Sequence, residues 1–178
     1  MVNRIKALKV SQITEQKFAP WDFETRYLSD RVIKKGFLDV DDNDVFQLQI
    51  EALKCFGFKG KGYQRGAWKI PDGSNYVVWF PRLYRHGCWH NYLKDSGKTI
   101  VERAVSGDGL KSIKEQRAEE EKYKGRNHIV FAKSKDALGF NLLRYVRTFE
   151  MALFDSTDNY LIFKQVRSQE PIRNITRK

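Results

Sequence analysis

Two histidines and a cysteine crowd the stretch Arg85-His86-Gly87-Cys88-Trp89-His90-Asn91. On an extended strand His86, Cys88 and His90 share one face, which suggests a metal site. Structural zinc takes four Cys or His ligands, usually from two short-spaced pairs. The other soft ligands, Cys55 and His128, stand singly and far off in sequence. Three alternate residues of a strand also span about 13 Å, too far for one ion unless Gly87 bends the chain. His90-Asn91 begin like an HNH nuclease motif, yet the one later histidine, His128, opens an apolar run. A PD-(D/E)xK nuclease matches the letters of Asp72 and Glu120-Glu121-Lys122, but Asp72 falls in a turn and Glu120 on a charged helix with a solvated face. Residues 39–51 fail as a calcium loop, with Asp44 where glycine is needed and Ile50 where glutamate is needed. No catalytic residue, metal or cofactor is expected.

A different chemistry is better supplied. Residues 56–69, FGFKGKGYQRGAWK, carry Lys59, Lys61, Arg65 and Lys69, four glycines and no acid. Glycine lets backbone approach a phosphate and the cations neutralise it, although a solvated hairpin arm has the same composition. Immediately after come Trp68, Tyr76, Trp79, Phe80, Tyr84, Trp89 and Tyr92, interleaved with Arg82, Arg85 and Lys94. Aromatic platforms beside cations hold single-stranded or extruded bases, while most strand aromatics simply fill a core. Trp89 is the least easily explained as core, because His90, Asn91 and Gly87 surround it.

The elements that must position these residues fall in two regions. In residues 1–57, SDRVIKK reads as a short helix with Ser29 as N-cap and Gly36 as stop. A second helix is expected over residues 45–56, capped by Asp44 and Gln47, with Val45, Leu48, Ala52 and Cys55 on its buried face. From residue 67 the pattern is β. Two strand-like runs flank Pro71-Asp72-Gly73-Ser74 as a hairpin, with Tyr76, Val78 and Phe80 on one face and Val77 and Trp79 on the other. A charged helix over residues 107–125, with a narrow face of Leu110, Ile113 and Arg117, precedes three more runs. The last two flank a polar turn at residues 155–158 and should pair antiparallel. The expected class is α+β: a small, partly closed mixed or antiparallel β-barrel with flanking helices. The chain is taken as a single domain over 1–178, with the barrel at 58–167 and a basic tail at 168–178.

Composition bounds the partner. Lys and Arg number 33 against 22 Asp and Glu, a formal charge of +11, which favours a polyanion and most commonly nucleic acid. No apolar run approaches the length of a membrane span and no signal sequence is evident. The two cysteines read as reduced thiols of a cytoplasmic protein.

Residues 67–167 resemble PUA-like barrels of modification-dependent restriction systems, the SRA-like and EVE-like modules. The resemblance lies in Trp89-His90-Asn91, the Glu- and Lys-rich helix, and then HIVFAK, LLRYVRTFE and YLIFKQV in that order. Arg147 departs from it, standing where the looser pattern often has glycine, and this bears on the pocket's shape. The resemblance implies a non-catalytic reader of DNA, taking a modified base into an aromatic pocket and serving a nuclease subunit or domain. Trp68, Trp79, Trp89 and Tyr92 are the candidate walls and Asn91 the candidate edge reader. Lys59, Lys61, Arg65, Lys69, Arg82 and Arg85 are the candidate phosphate contacts, with help from the tail. A B3-type barrel reading intact duplex, an RNA-binding module of the same barrel type, and a metal-dependent nuclease are the alternatives.

Overall fold

The computed structural model describes residues 28–135, 139 and 141–173. Helix α1 (Leu28–Lys35) ends as expected where Gly36 N–H donates to Val32 O at 3.0 Å. Ser29 lies within its first turn, not ahead of it. Strand β1 (Phe37–Asp39) and the short β2 (Val45–Phe46) follow, then α2 (Gln49–Lys54). The expected helix from Val45 therefore starts four residues late. Val45 and Phe46 are claimed instead by Arg144 and Leu143, which they face across an antiparallel pair. The cap also differs: the Glu51 carboxylate accepts from Gln47 and Leu48 N–H, at 3.1 and 3.2 Å. Asp44 is buried and bound by Lys35 at 2.9 Å.

Among the described residues nine strands make one sheet. The hairpin β3 (Ala67–Lys69) and β4 (Tyr76–Trp79) forms as the turn residues predict. Strands β5 (Arg85–His86), β6 (Trp89–Lys94) and β7 (Thr99–Ala104) form a meander. After α3 (Gly107–Lys122) come β8 (Asn127–Lys135), β9 (Asn141–Met151) and β10 (Tyr160–Arg167). Their order is β3-β4-β8-β9-β10-β7-β6-β5, with β2 beside β9, and every pair is antiparallel except β4 with β8. Among the described residues the hydrogen-bonded path ends at β3 and β5. The architecture is mixed α+β around a large, mostly antiparallel sheet. The sheet is nonetheless strongly coiled, since the ring of Trp79 on β4 lies 4.8 Å from that of Phe163 on β10, two strands beyond its neighbour.

Period-2 alternation gives the sheet two apolar faces. Ile129, Phe131, Leu143 and Tyr145 face a cluster completed by Val32, Phe46, Leu53 and Phe56, so residues 28–58 pack directly on the sheet. Val130, Ala132, Phe149, Met151 and Phe163 face the other way, where Ile113 of α3 closes them. Leu110, expected on that helix's buried face, is exposed. Phe131 centres the first cluster, within 5.5–6.4 Å of the rings of Phe46, Phe56, Phe80 and Tyr145. Phe131→Ala is expected to cost about 3–5 kcal/mol in urea unfolding. A loss under about 1 kcal/mol would mean the two regions do not share a core.

Part of the segment read as a basic tail, residues 168–178, is built into the fold. Gln169–Pro171 is a strand, β11, paired with β1. Arg173 is held by Glu170 and Asp72, each at 3.5 Å, and lies 3.4 Å over the Tyr76 ring. Residues 174–178, like residues 1–27 of the N-terminal region, lie outside the described residues.

Candidate nucleic-acid interface

The stretch at residues 85–91 is a tight hairpin. Gly87 has φ +50°, which L side chains rarely adopt, and it turns β5 back onto β6. The bend does not gather a metal site: among the described residues no three His, Cys, Asp or Glu side chains come together. Alternation along β6 separates the stretch instead. His90 and Tyr92 share one face, their rings 5.2 Å apart, while Trp89 and Asn91 face the opposite way. On β7 the partners of Trp89 and Asn91 are Ala104 and Glu102.

Trp89, Asn91 and Glu102 open on a pocket of about 240 Å³ between β6 and the end of β4. Trp79, Phe80 and Pro81 form the β4 side. Trp79 is wedged against Phe163 at 4.8 Å and His128 at 6.0 Å. Burial pushes His128 down to about 4, with Arg126 adding to the effect, so its imidazole is a neutral packing group. The cations of the lining are Arg65, Arg82 and Lys133. Among the described residues none of the three has an acid within 4 Å.

Asn91 and Glu102 are 3% and 6% exposed, yet Asn91 Oδ1 and Glu102 Oε2 accept no hydrogen bond from the described residues. Two buried acceptors without donors are costly unless something else supplies the donors. Burial pushes the Glu102 carboxyl up to about 7, with the nearby Gln116 of α3 opposing the shift. Helix α3 can lie this close because residue 109 is glycine: a Cβ there would stand 2.7 Å from Cys88 O and 3.0 Å from Ala104 Cβ.

The profile of the SET and RING associated domain, SRA, matches residues 31–172. The chain belongs to the SRA family. The solved 5-hydroxymethylcytosine-specific restriction enzyme AbaSI is similar at 30% identity and TM-score 0.73, over 96% of this chain and 53% of that one. This chain thus spans about half the length of that enzyme. The DNA recognition domain of the cytosine modification-dependent restriction endonuclease LpnPI aligns over 72% of each chain, at 11% identity and TM-score 0.43. No curated protein matches. The SRA assignment makes this a DNA-binding reader domain, as the sequence suggested, and does not favour the nuclease readings.

The pocket gathers five of the nominated residues: Arg65, Trp79, Arg82, Trp89 and Asn91. Trp68 is not among its walls, its ring lying edge-on to Phe58 at 5.5 Å. Phe58 also meets Tyr63 at 5.6 Å, and Tyr63 hydrogen-bonds Ala67 O, so these rings anchor the 59–69 arm. Lys59, Lys61 and Lys69 project from that arm, exposed, and Arg85 from the hairpin, all outside the pocket. Tyr92 lies on the outer face with Lys94 Nζ 5.9 Å from its ring. Arg147 does not reshape the pocket; its guanidinium donates to Gly97 O at 3.0 Å in the β6–β7 turn. Glu102, Lys133, Gln49 and Gln64 line the pocket and were not anticipated, and His86 lines it as well.

The residues weighed for nuclease chemistry are occupied elsewhere. Asp72 accepts from Ser74 N–H at 2.8 Å within its turn and pairs with Arg173. Glu120 is buried, not solvated as its helix suggested; Arg126 lies 3.8 Å away, and burial pushes its carboxyl up to about 7. The Cys55 thiol is pushed up to about 12 by burial, which leaves it inert, and both cysteines are free.

Proposed function

We propose that this domain reads DNA by taking a modified cytosine out of the duplex into the pocket. The observation that carries the reading is the pair of buried, donor-seeking oxygens, Asn91 Oδ1 and Glu102 Oε2, on neighbouring strands beside Trp79 and Trp89. Cytosine's exocyclic amine has two N–H groups and thymine has none there, so two acceptors favour the cytosine class. Extrusion costs a few kcal/mol, and stacking on an indole returns about 1–3 kcal/mol per base. Arg65, Arg82 and Lys133 stand where flanking phosphates would pass. The coiled sheet serves as the partly closed PUA-like barrel, with residues 28–58 as part of the same domain. The relation to AbaSI supports a substituent on cytosine C5 and a role in targeting a nuclease domain or subunit of a cytoplasmic restriction system.

Duplexes with one 5-hydroxymethylcytosine, one 5-methylcytosine or cytosine alone, compared by fluorescence anisotropy with matched RNA, test this reading. Preference for a modified DNA duplex, lost in Asn91→Ala, is the expected result. Equal affinity for all four would contradict it.

The 59–69 arm is proposed to neutralise backbone phosphates. Changing Lys59, Lys61 and Arg65 together to Ala should make the dependence of log Kd on log salt shallower, by about 0.9 for each phosphate no longer neutralised. An unchanged slope would remove the arm from the interface.

A further inference from the structure

The outer face of β6 takes no part in the pocket, and alternation makes it one strip of a regular grid. Arg85, His90, Arg103 and Tyr160 stand in line across β5, β6, β7 and β10, each the register partner of the next. The following row holds Tyr92, Val101 and Ile162, and the row beyond it Lys94, Thr99 and Lys164. None of these positions is an acid. Arg85, Lys94 and Arg103 are exposed and, among the described residues, have no acid within 4 Å, whereas Lys164 is held by Asp155.

The middle row is apolar without belonging to either core cluster. Helices α1 and α2 are committed to the first cluster, and α3 to the inner face through Ile113 and Gly109. The rings of His90 and Tyr92 lie half-buried side by side, 5.2 Å apart, and Lys94 Nζ stands 5.9 Å from the second.

We propose that this face is a second nucleic-acid site, a platform for single strands. His90 and Tyr92 stack unpaired bases there, while Arg85, Arg103 and Lys94 neutralise the phosphates on either side. The platform is separate from the pocket, because Trp89 and Asn91 project from the other side of the same strand. It does not rest on the reading of that pocket.

Geometry and charge favour this partner over two others. Four neighbouring strands at roughly 4.8 Å spacing are about 14 Å across. The major groove is only about 12 Å wide, so a duplex can rest on the cations but cannot bring bases to the rings. An acidic protein segment would pair with the same cations and also leave the rings idle. Unpaired bases expose their π faces, and aromatic rings on a sheet flanked by cations are suited to hold them.

The test uses the full chain with short fluorescein-labelled oligothymidylate and oligouridylate, neither of which contains cytosine. A base-free deoxyribose-phosphate strand and polyglutamate serve as controls. At least one labelled strand should bind, and should stay bound when the protein is saturated with duplex carrying 5-hydroxymethylcytosine. The tighter of the two identifies DNA or RNA as the strand taken. His90→Leu with Tyr92→Leu keeps apolar side chains beside Val101. That variant should bind the strand more weakly by about fivefold or more for each ring lost, with duplex binding unchanged. Lys94→Ala with Arg103→Ala alters exposed positions and leaves the packing alone. It should make the salt dependence of strand binding shallower by about 0.7 for each phosphate no longer neutralised. Strand binding that the duplex displaces, that survives in the ring variant, or that the base-free strand or polyglutamate matches would overturn the platform. So would binding of neither strand, or loss of duplex binding along with strand binding in the ring variant.

Discussion

Glu102→Gln is expected to make the free protein more stable at pH 8, not less. A carboxyl raised from 4.5 to about 7 holds its proton more tightly in the folded chain than in the unfolded one. The stability it allows is therefore complete below about 4.5 and is lost as pH rises through about 7. Above that range the ionised, buried group costs on the order of 3 kcal/mol, which a neutral amide of the same shape does not. Urea unfolding should show the variant ahead by that order at pH 8, with the gap closing towards pH 5. Glu120 shares the direction of shift, so the wild type loses stability over the same range, but that part persists in the variant. A variant no more stable than wild type at pH 8 would mean that Glu102 is already satisfied. A residue that destabilises its own fold while lining a pocket has the signature of a group kept for binding.

The second large effect belongs to Trp89. Trp89→Leu keeps an apolar side chain beside Ala104, its partner on β7, but removes the π face. Affinity for duplex carrying the modified base should fall about 5- to 150-fold, matching the roughly 1–3 kcal/mol of one base–aromatic stack, with binding to unmodified DNA little changed. Trp79 is a less clean probe, because its ring is packed on Phe163 and His128, so its loss also costs the fold. Unchanged affinity in Trp89→Leu would assign that ring to the core alone.

Much of this was legible in particular residues. Pro71-Asp72-Gly73-Ser74 specified the first hairpin through turn chemistry, and the polar break after β9 specified the second. The alternation in Tyr76–Phe80 correctly divided Trp79 from Val78 and Phe80. What failed, failed where tertiary pairing decides. Val45-Phe46 continue a helical pattern, and only β9, a hundred residues on, makes them a strand. Trp68 and Trp79 are equally aromatic in sequence, and which one meets a pocket depends on how Phe58 folds back. Glu102 was missed because a single acid in a β run resembles a solvated face. Parity carried the signal: Ile100, Glu102 and Ala104 share one side of β7, and both neighbours are buried. The same parity separates Tyr92 from Asn91.

The central claim is that the base leaves the helix. A duplex with one 5-hydroxymethylcytosine flanked by 2-aminopurine reports unstacking directly, since that neighbour brightens when the adjacent base is withdrawn. The wild type is predicted to raise the fluorescence on the modified duplex and not on its cytosine counterpart, and the double variant Asn91→Ala with Trp89→Leu to raise neither. Tight, modification-dependent binding with no change in fluorescence would contradict the account and indicate reading of the intact groove.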